Sequence, residues 1–242
     1  MRKSKFILLC IVIEVMLIIC ITLANVKPVS ILYLIFYNLA YGLILSFLVP
    51  LYYLQKEKRT LSSIGIKKLG VRQFIVLIAF VVFSVGGQLI PMIMVGEQIP
   101  WNLLPIGIVP LIMTTFFEEF LFHGFIQGRI EQHFGWLPAI IISGMMFSFY
   151  HLGYPRFRTR GDILLLFVVG LGFAAAYKLS NNNLLVSYFV NLPNAFVTYM
   201  LKNEQFPTMG LSSTISAVIT LMVILIIFYS MKRNKGNTIL WQ

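Results

Sequence analysis

The chain has 242 residues, of which 59% are hydrophobic and 11% charged, with a formal net charge of +11. A mean hydropathy of +0.88 excludes an ordinary soluble domain and points to an integral membrane protein. The Lys and Arg residues stand in short clusters at the ends of apolar runs, which reads as topology and anionic headgroup contact and excludes a nucleic-acid face.

A span needs about 20 mostly apolar residues, and inside lipid the backbone must satisfy itself, so runs of this length are helices. Breaks at charge and at Pro/Gly clusters give about eight: 6–25, 31–54, 73–95, 103–128, 135–152, 162–179, 183–201 and 211–231. The first follows Arg2, Lys3 and Lys5. It is longer than a signal-peptide core and lacks a small-residue cleavage site, so it reads as a retained span. Cys10 and Cys20 share it, too far apart along a helix to bridge, and Glu14 within it reads as a packing residue. The loop 55–72 carries Ser62-Ser63-Ile64-Gly65-Ile66-Lys67-Lys68 and is expected to lie along the headgroups as an amphipathic piece.

Fourteen Lys/Arg on one side against five on the other favour cytoplasmic termini. Lys27, Arg156, Arg158, Arg160 and Lys202 make up the outer five, and the Arg156–Arg160 cluster breaks the rule. The expected organisation is one all-α polytopic membrane domain in three parts. Residues 1–99 hold the N-terminal helices and the loop, 100–202 the core, and 203–242 the last helix and a basic tail.

Ionisable groups within a span are expensive and mark function by default. The fourth span reads Phe116-Phe117-Glu118-Glu119-Phe120-Leu121-Phe122-His123. Glu119 and His123, four apart, share a face, while Glu118 points about 100° away, toward a cavity. The phenylalanines read as lipid-facing bulk. In the fifth span Phe147 and His151 are also four apart, so the ring can brace the imidazole. In the seventh, Asn191 and Asn194 flank Pro193, which removes a backbone donor and bends the helix. Glu118 and His151 lie about 16 and 17 residues either side of the turn near Phe134, hence at about the same depth.

Glu118-Glu119-Phe-Leu-Phe-His123-Gly resembles the Glu-Glu-x-x-x-Arg motif of the type II CAAX prenyl endopeptidases and their bacterial relatives. This is the CPBP or Abi family, which includes bacteriocin-processing and immunity proteins. Phe147-Ser-Phe-Tyr-His151 is similar to its Phe-x-x-x-His motif. Leu184 to Asn194 looks like a degenerate third motif, with Asn191 where the family has a second histidine and His123 where it has arginine. The resemblance covers about residues 100–200. It implies a bacterial plasma membrane and a membrane-associated peptide or protein substrate, and nothing in the chain reads a prenyl group.

The residues suit hydrolysis by an activated water. Glu118 is the expected general base and Glu119 its partner, held by His123. His151 orients the water or stabilises the oxyanion, and Asn194 and Asn191 donate to that oxyanion. No cofactor is required. If a divalent metal such as zinc is bound, Glu118 and His151 are the expected ligands, with an amide a poor third donor. A non-catalytic relative acting as a membrane regulator or immunity protein is the alternative, favoured by the altered third motif. A small transporter is the third reading, against which stands the absence of paired repeats.

Overall fold

Seven helices long and apolar enough to cross a membrane and one shorter apolar helix dominate the computed structural model, which describes residues 2–27, 30–98, 104–155, 159–201 and 211–233. They are α1 (Lys3–Val26), α2 (Ile31–Lys56), α3 (Val71–Met94), α4 (Gly107–Phe134), α5 (Trp136–Gly153), α6 (Arg160–Leu179), the shorter α7 (Leu184–Thr198) and α8 (Leu211–Met231). No strand occurs among the described residues. Arg156, Arg158, Lys202 and Lys235 of the charge count lie outside them.

The helix α4 is the axis of the bundle. Phe117, Phe120, Phe122 and Phe125 are all buried in the core, not turned to lipid as expected. A span enclosed by neighbours is apolar all round, so the excess of phenylalanine marked burial here. The same helix runs on past residue 128 to Phe134 because Arg129 is not a terminator. Its guanidinium lies 4.1 Å from the Phe125 ring centroid and donates to Glu57 Oε2 at 2.7 Å.

Two close approaches set the packing. A Cβ on Gly42 of α2 would stand 2.2 Å from the Phe117 ring, so only glycine lets α2 lie this near α4. Gly144 of α5 and Gly170 of α6 face each other, a Cβ on Gly170 meeting the Gly144 carbonyl oxygen at 3.0 Å. Small residues at such contacts allow the close backbone approach that replaces hydrophobic drive inside lipid. Along α2, Tyr33, Tyr37 and Tyr41 fall four apart and form a column with ring centroids 4.9 and 5.0 Å apart.

The loop after α2 is held against the protein along part of its length. Leu61 and Ile64 are buried, and the loop is bonded to the turn before α7. Leu184 N donates to Gly65 O at 2.8 Å, Asn183 Nδ2 to Lys68 O at 3.1 Å and Lys67 Nζ to Asn181 O at 3.2 Å. Gly65 has φ +92°, and a Cβ there would meet Asn182 O at 2.6 Å. The apolar side of this stretch, Leu61 and Ile64, thus meets protein.

Just beyond α2, burial pushes the Glu57 carboxyl up, but the charge of the Arg129 guanidinium and the hydrogen bonds and positive charge around the carboxyl together hold it below the usual carboxylate range. A depressed folded-state pKa gives stability that is present above the unfolded value and lost as pH falls through the folded one. Thermal unfolding in detergent should therefore fall off more steeply for wild type than for Glu57→Gln as pH drops through about 4. Parallel acid limbs for the two proteins would contradict this.

Candidate active site

The two glutamates sit where α4 changes its winding, Glu118 closing a regular α-helical stretch and Glu119 opening a π-helical one that runs to Gln127. Such widened turns recur at functional sites. Both carboxyl groups are nearly wholly buried, Glu118 at 5% and Glu119 at 1% exposure. Buried carboxyls need partners, and here other helices supply them.

Asn191 of α7 is the centre of the arrangement. Its Nδ2 donates to Glu118 Oε2 at 2.9 Å and to Glu119 Oε1 at 2.9 Å. The expected divergence of the pair is thus corrected: the side chains leave successive positions but converge on one amide from the facing helix. Asn191 therefore directs its amide donors at the two glutamates. Glu119 Oε2 pairs with His123 Nδ1 at 2.8 Å, one turn along, as the spacing predicts. His123 Nε2 is buried and has no hydrogen-bond partner among the described residues.

Tyr150 links the second motif to the first. Its hydroxyl donates to Glu118 Oε1, and its ring lies 4.1 Å from that of His151, centroid to centroid. Reasoning from sequence missed this residue. The available signal was a tyrosine adjoining the histidine at the depth of a buried acid. Behind it stands Tyr41, stacked at 6.2 Å and 9°, so the tyrosine column of α2 ends against the site. His151 Nδ1 lies 2.7 Å from the Phe147 carbonyl oxygen, which can only accept, so Nδ1 carries a hydrogen and, in the neutral imidazole, Nε2 the lone pair. The Phe147 ring meets the imidazole at 5.1 Å and 61°.

Asn194 belongs to a neighbouring cluster and makes no hydrogen bond to either glutamate. Its Oδ1 accepts from Gln88 Nε2 of α3 at 2.8 Å, and Thr198 Oγ1 donates to Gln88 Oε1 at 2.8 Å. This ring of bonds fixes the amide with its carbonyl toward α3 and leaves its Nδ2 donors unspent among the described residues. If Asn194 Nδ2 serves catalysis, Gln88→Leu and Asn194→Ala should each lower kcat by about tenfold or more, and the double variant should lose no more than Asn194→Ala alone. Additive losses in the cycle would show that Gln88 acts elsewhere.

A zinc ion does not fit the donors present. Among the described residues no group of three His, Cys, Asp or Glu side chains is placed to hold a metal. Asn191 presents an amide hydrogen-bonded to both carboxylates where a third strong ligand would be needed. His133, the remaining histidine, packs against Phe6 and Phe134 at the far end of α4. Glu14 keeps both oxygens buried without a hydrogen-bond partner among the described residues and takes no part in this site.

Residues 100–197 match the family model described as type II CAAX prenyl endopeptidase Rce1-like, a stretch running from just before α4 almost to the end of α7. No curated protein matches the chain.

Proposed function

We propose, from the premise that this chain belongs through residues 100–197 to the type II CAAX prenyl endopeptidase (Rce1-like) family, that it hydrolyses a peptide bond of a membrane-associated peptide or protein. The single observation carrying this reading is the convergence of Asn191 and Tyr150 on the buried Glu118 carboxylate, beside the His151 imidazole. A carboxylate offers about four lone-pair directions, so two hydrogen bonds leave room for a water.

In the proposed reaction Glu118 takes one proton from that water, while Nε2 of the neutral His151 imidazole accepts a hydrogen bond from the O–H that remains and fixes its direction. The hydroxide formed attacks the scissile carbonyl carbon. Asn194 Nδ2 donates to the oxygen that becomes negative, a contribution of about 3–4 kcal/mol in hydrolases of this logic. Glu118 then returns the proton to the departing nitrogen as the C–N bond breaks, leaving a carboxylic acid end and an amine end. Glu119, His123 and Asn191 touch no reacting atom in this scheme. They hold Glu118 in place, and the chain needs no metal for any step written here.

The positive charge bias of the loops supports cytoplasmic termini and a plasma-membrane setting. The second reading, a regulator or immunity protein without catalysis, draws on Asn191 standing where the family has histidine. The deciding experiment expresses wild type and Glu118→Gln at equal membrane abundance and maps new protein N-termini by mass spectrometry. New termini that depend on Glu118 support the protease. Identical termini in both would favour the regulator.

A further inference from the structure

The structure carries a feature that the proteolytic reading leaves unused: an open groove of about 500 Å³ on the outer flank of α5 and α6. Its wall is Met145, Phe149 and Leu152 from α5 with Ile163, Leu164 and Phe167 from α6. Met145, Phe149, Leu152 and Leu164 are exposed, so the groove opens outward and not into the active site. Its polar atoms are already spent. Ser148 Oγ donates to the Ile163 carbonyl oxygen at 2.5 Å, and Thr159 is engaged with Asp162 in the cap of α6. What remains for an occupant is apolar wall along its length and one cation, Arg160, at the end where α6 begins.

Arg160 is exposed and forms no ion pair among the described residues, and the nearest acid in sequence, Asp162, already accepts from Thr159 N at 3.2 Å. It sits at the end of a spanning helix, the depth at which a bilayer places its phosphates. A guanidinium presents a planar fork that matches phosphate oxygens, and an apolar channel of this size takes an alkyl chain. The sequence adds Arg156 and Arg158 to the same stretch, the cluster that runs against the charge bias of the other loops. We propose that this groove is a binding site for one anionic phospholipid, its acyl chain along α5 and α6 and its phosphate on Arg160. The charge of Arg160, which topology did not explain, then has a partner.

The full chain, reconstituted with phosphatidylglycerol and phosphatidylcholine of identical acyl chains, is released from the bilayer and its retained lipid read by native mass spectrometry. Wild type should keep phosphatidylglycerol in preference to phosphatidylcholine. Arg160→Gln should reduce that preference about fivefold, the factor expected of one interfacial cation. Leu164→Trp, which fills the groove without touching the charge, should lower retention of both lipids. Arg72→Gln, an exposed cation on another helix, should change nothing. Equal retention of the two lipids by wild type would overturn the proposal, as would a preference untouched by Arg160→Gln. So would a dimer that Leu164→Trp dissociates, because a second copy of the chain would then be the occupant.

Discussion

Glu118→Gln should lower the rate of peptide cleavage by about a thousandfold, within the range that a positioned general base contributes. The substitution keeps shape and burial but removes the group that takes the water's proton. It also places an amide nitrogen where Glu118 Oε2 now accepts from Asn191, so two donors would face each other unless one side chain turns over. Some loss of stability therefore accompanies the loss of rate, and membrane abundance must be measured beside it. Tyr150→Phe separates the two effects, because it removes a donor from Glu118 Oε1 while keeping the ring against His151. Cleavage by Glu118→Gln at the wild-type rate, with intact protein, would remove Glu118 from catalysis.

Gly42→Ala should destabilise the protein by about 1–3 kcal/mol, the usual penalty for overfilling a close-packed core. The sign is informative because alanine is ordinarily favoured over glycine inside a helix by about 1 kcal/mol. Here the new methyl would stand 2.2 Å from a Phe117 ring carbon, and that ring is fully buried in the core. Phe117 adjoins Glu118, so the displacement also reaches the site. Shrinking the ring with Phe117→Leu in the Gly42→Ala background should recover part of the loss in a thermal unfolding measurement in detergent. A Gly42→Ala protein as stable as wild type, or one that Phe117→Leu only worsens, would refute the steric account.

The helical spans were legible because length and hydropathy are properties of the chain alone, and the i,i+4 pairing of Glu119 with His123 followed from helix geometry. The shared donor Asn191 and the hydroxyl of Tyr150 were not legible as partners of Glu118, because they depend on which faces three helices turn toward one another. Phe117, Phe120, Phe122 and Phe125 show the same limit: in lipid an apolar residue is at home on either side of a helix, so hydropathy does not distinguish core from surface. The loop 55–72 shows it in reverse, since an amphipathic stretch can satisfy itself on headgroups or on a neighbouring turn.

The column of Tyr33, Tyr37 and Tyr41 lies outside the stretch that matches the family, yet it is the surface on which Tyr150 leans. Trimming this protein at residue 100 would discard the backing of a side chain that donates to Glu118. The N-terminal third is better regarded as a buttress than as an anchor, and swapping it between relatives would retune the site without altering a single motif residue.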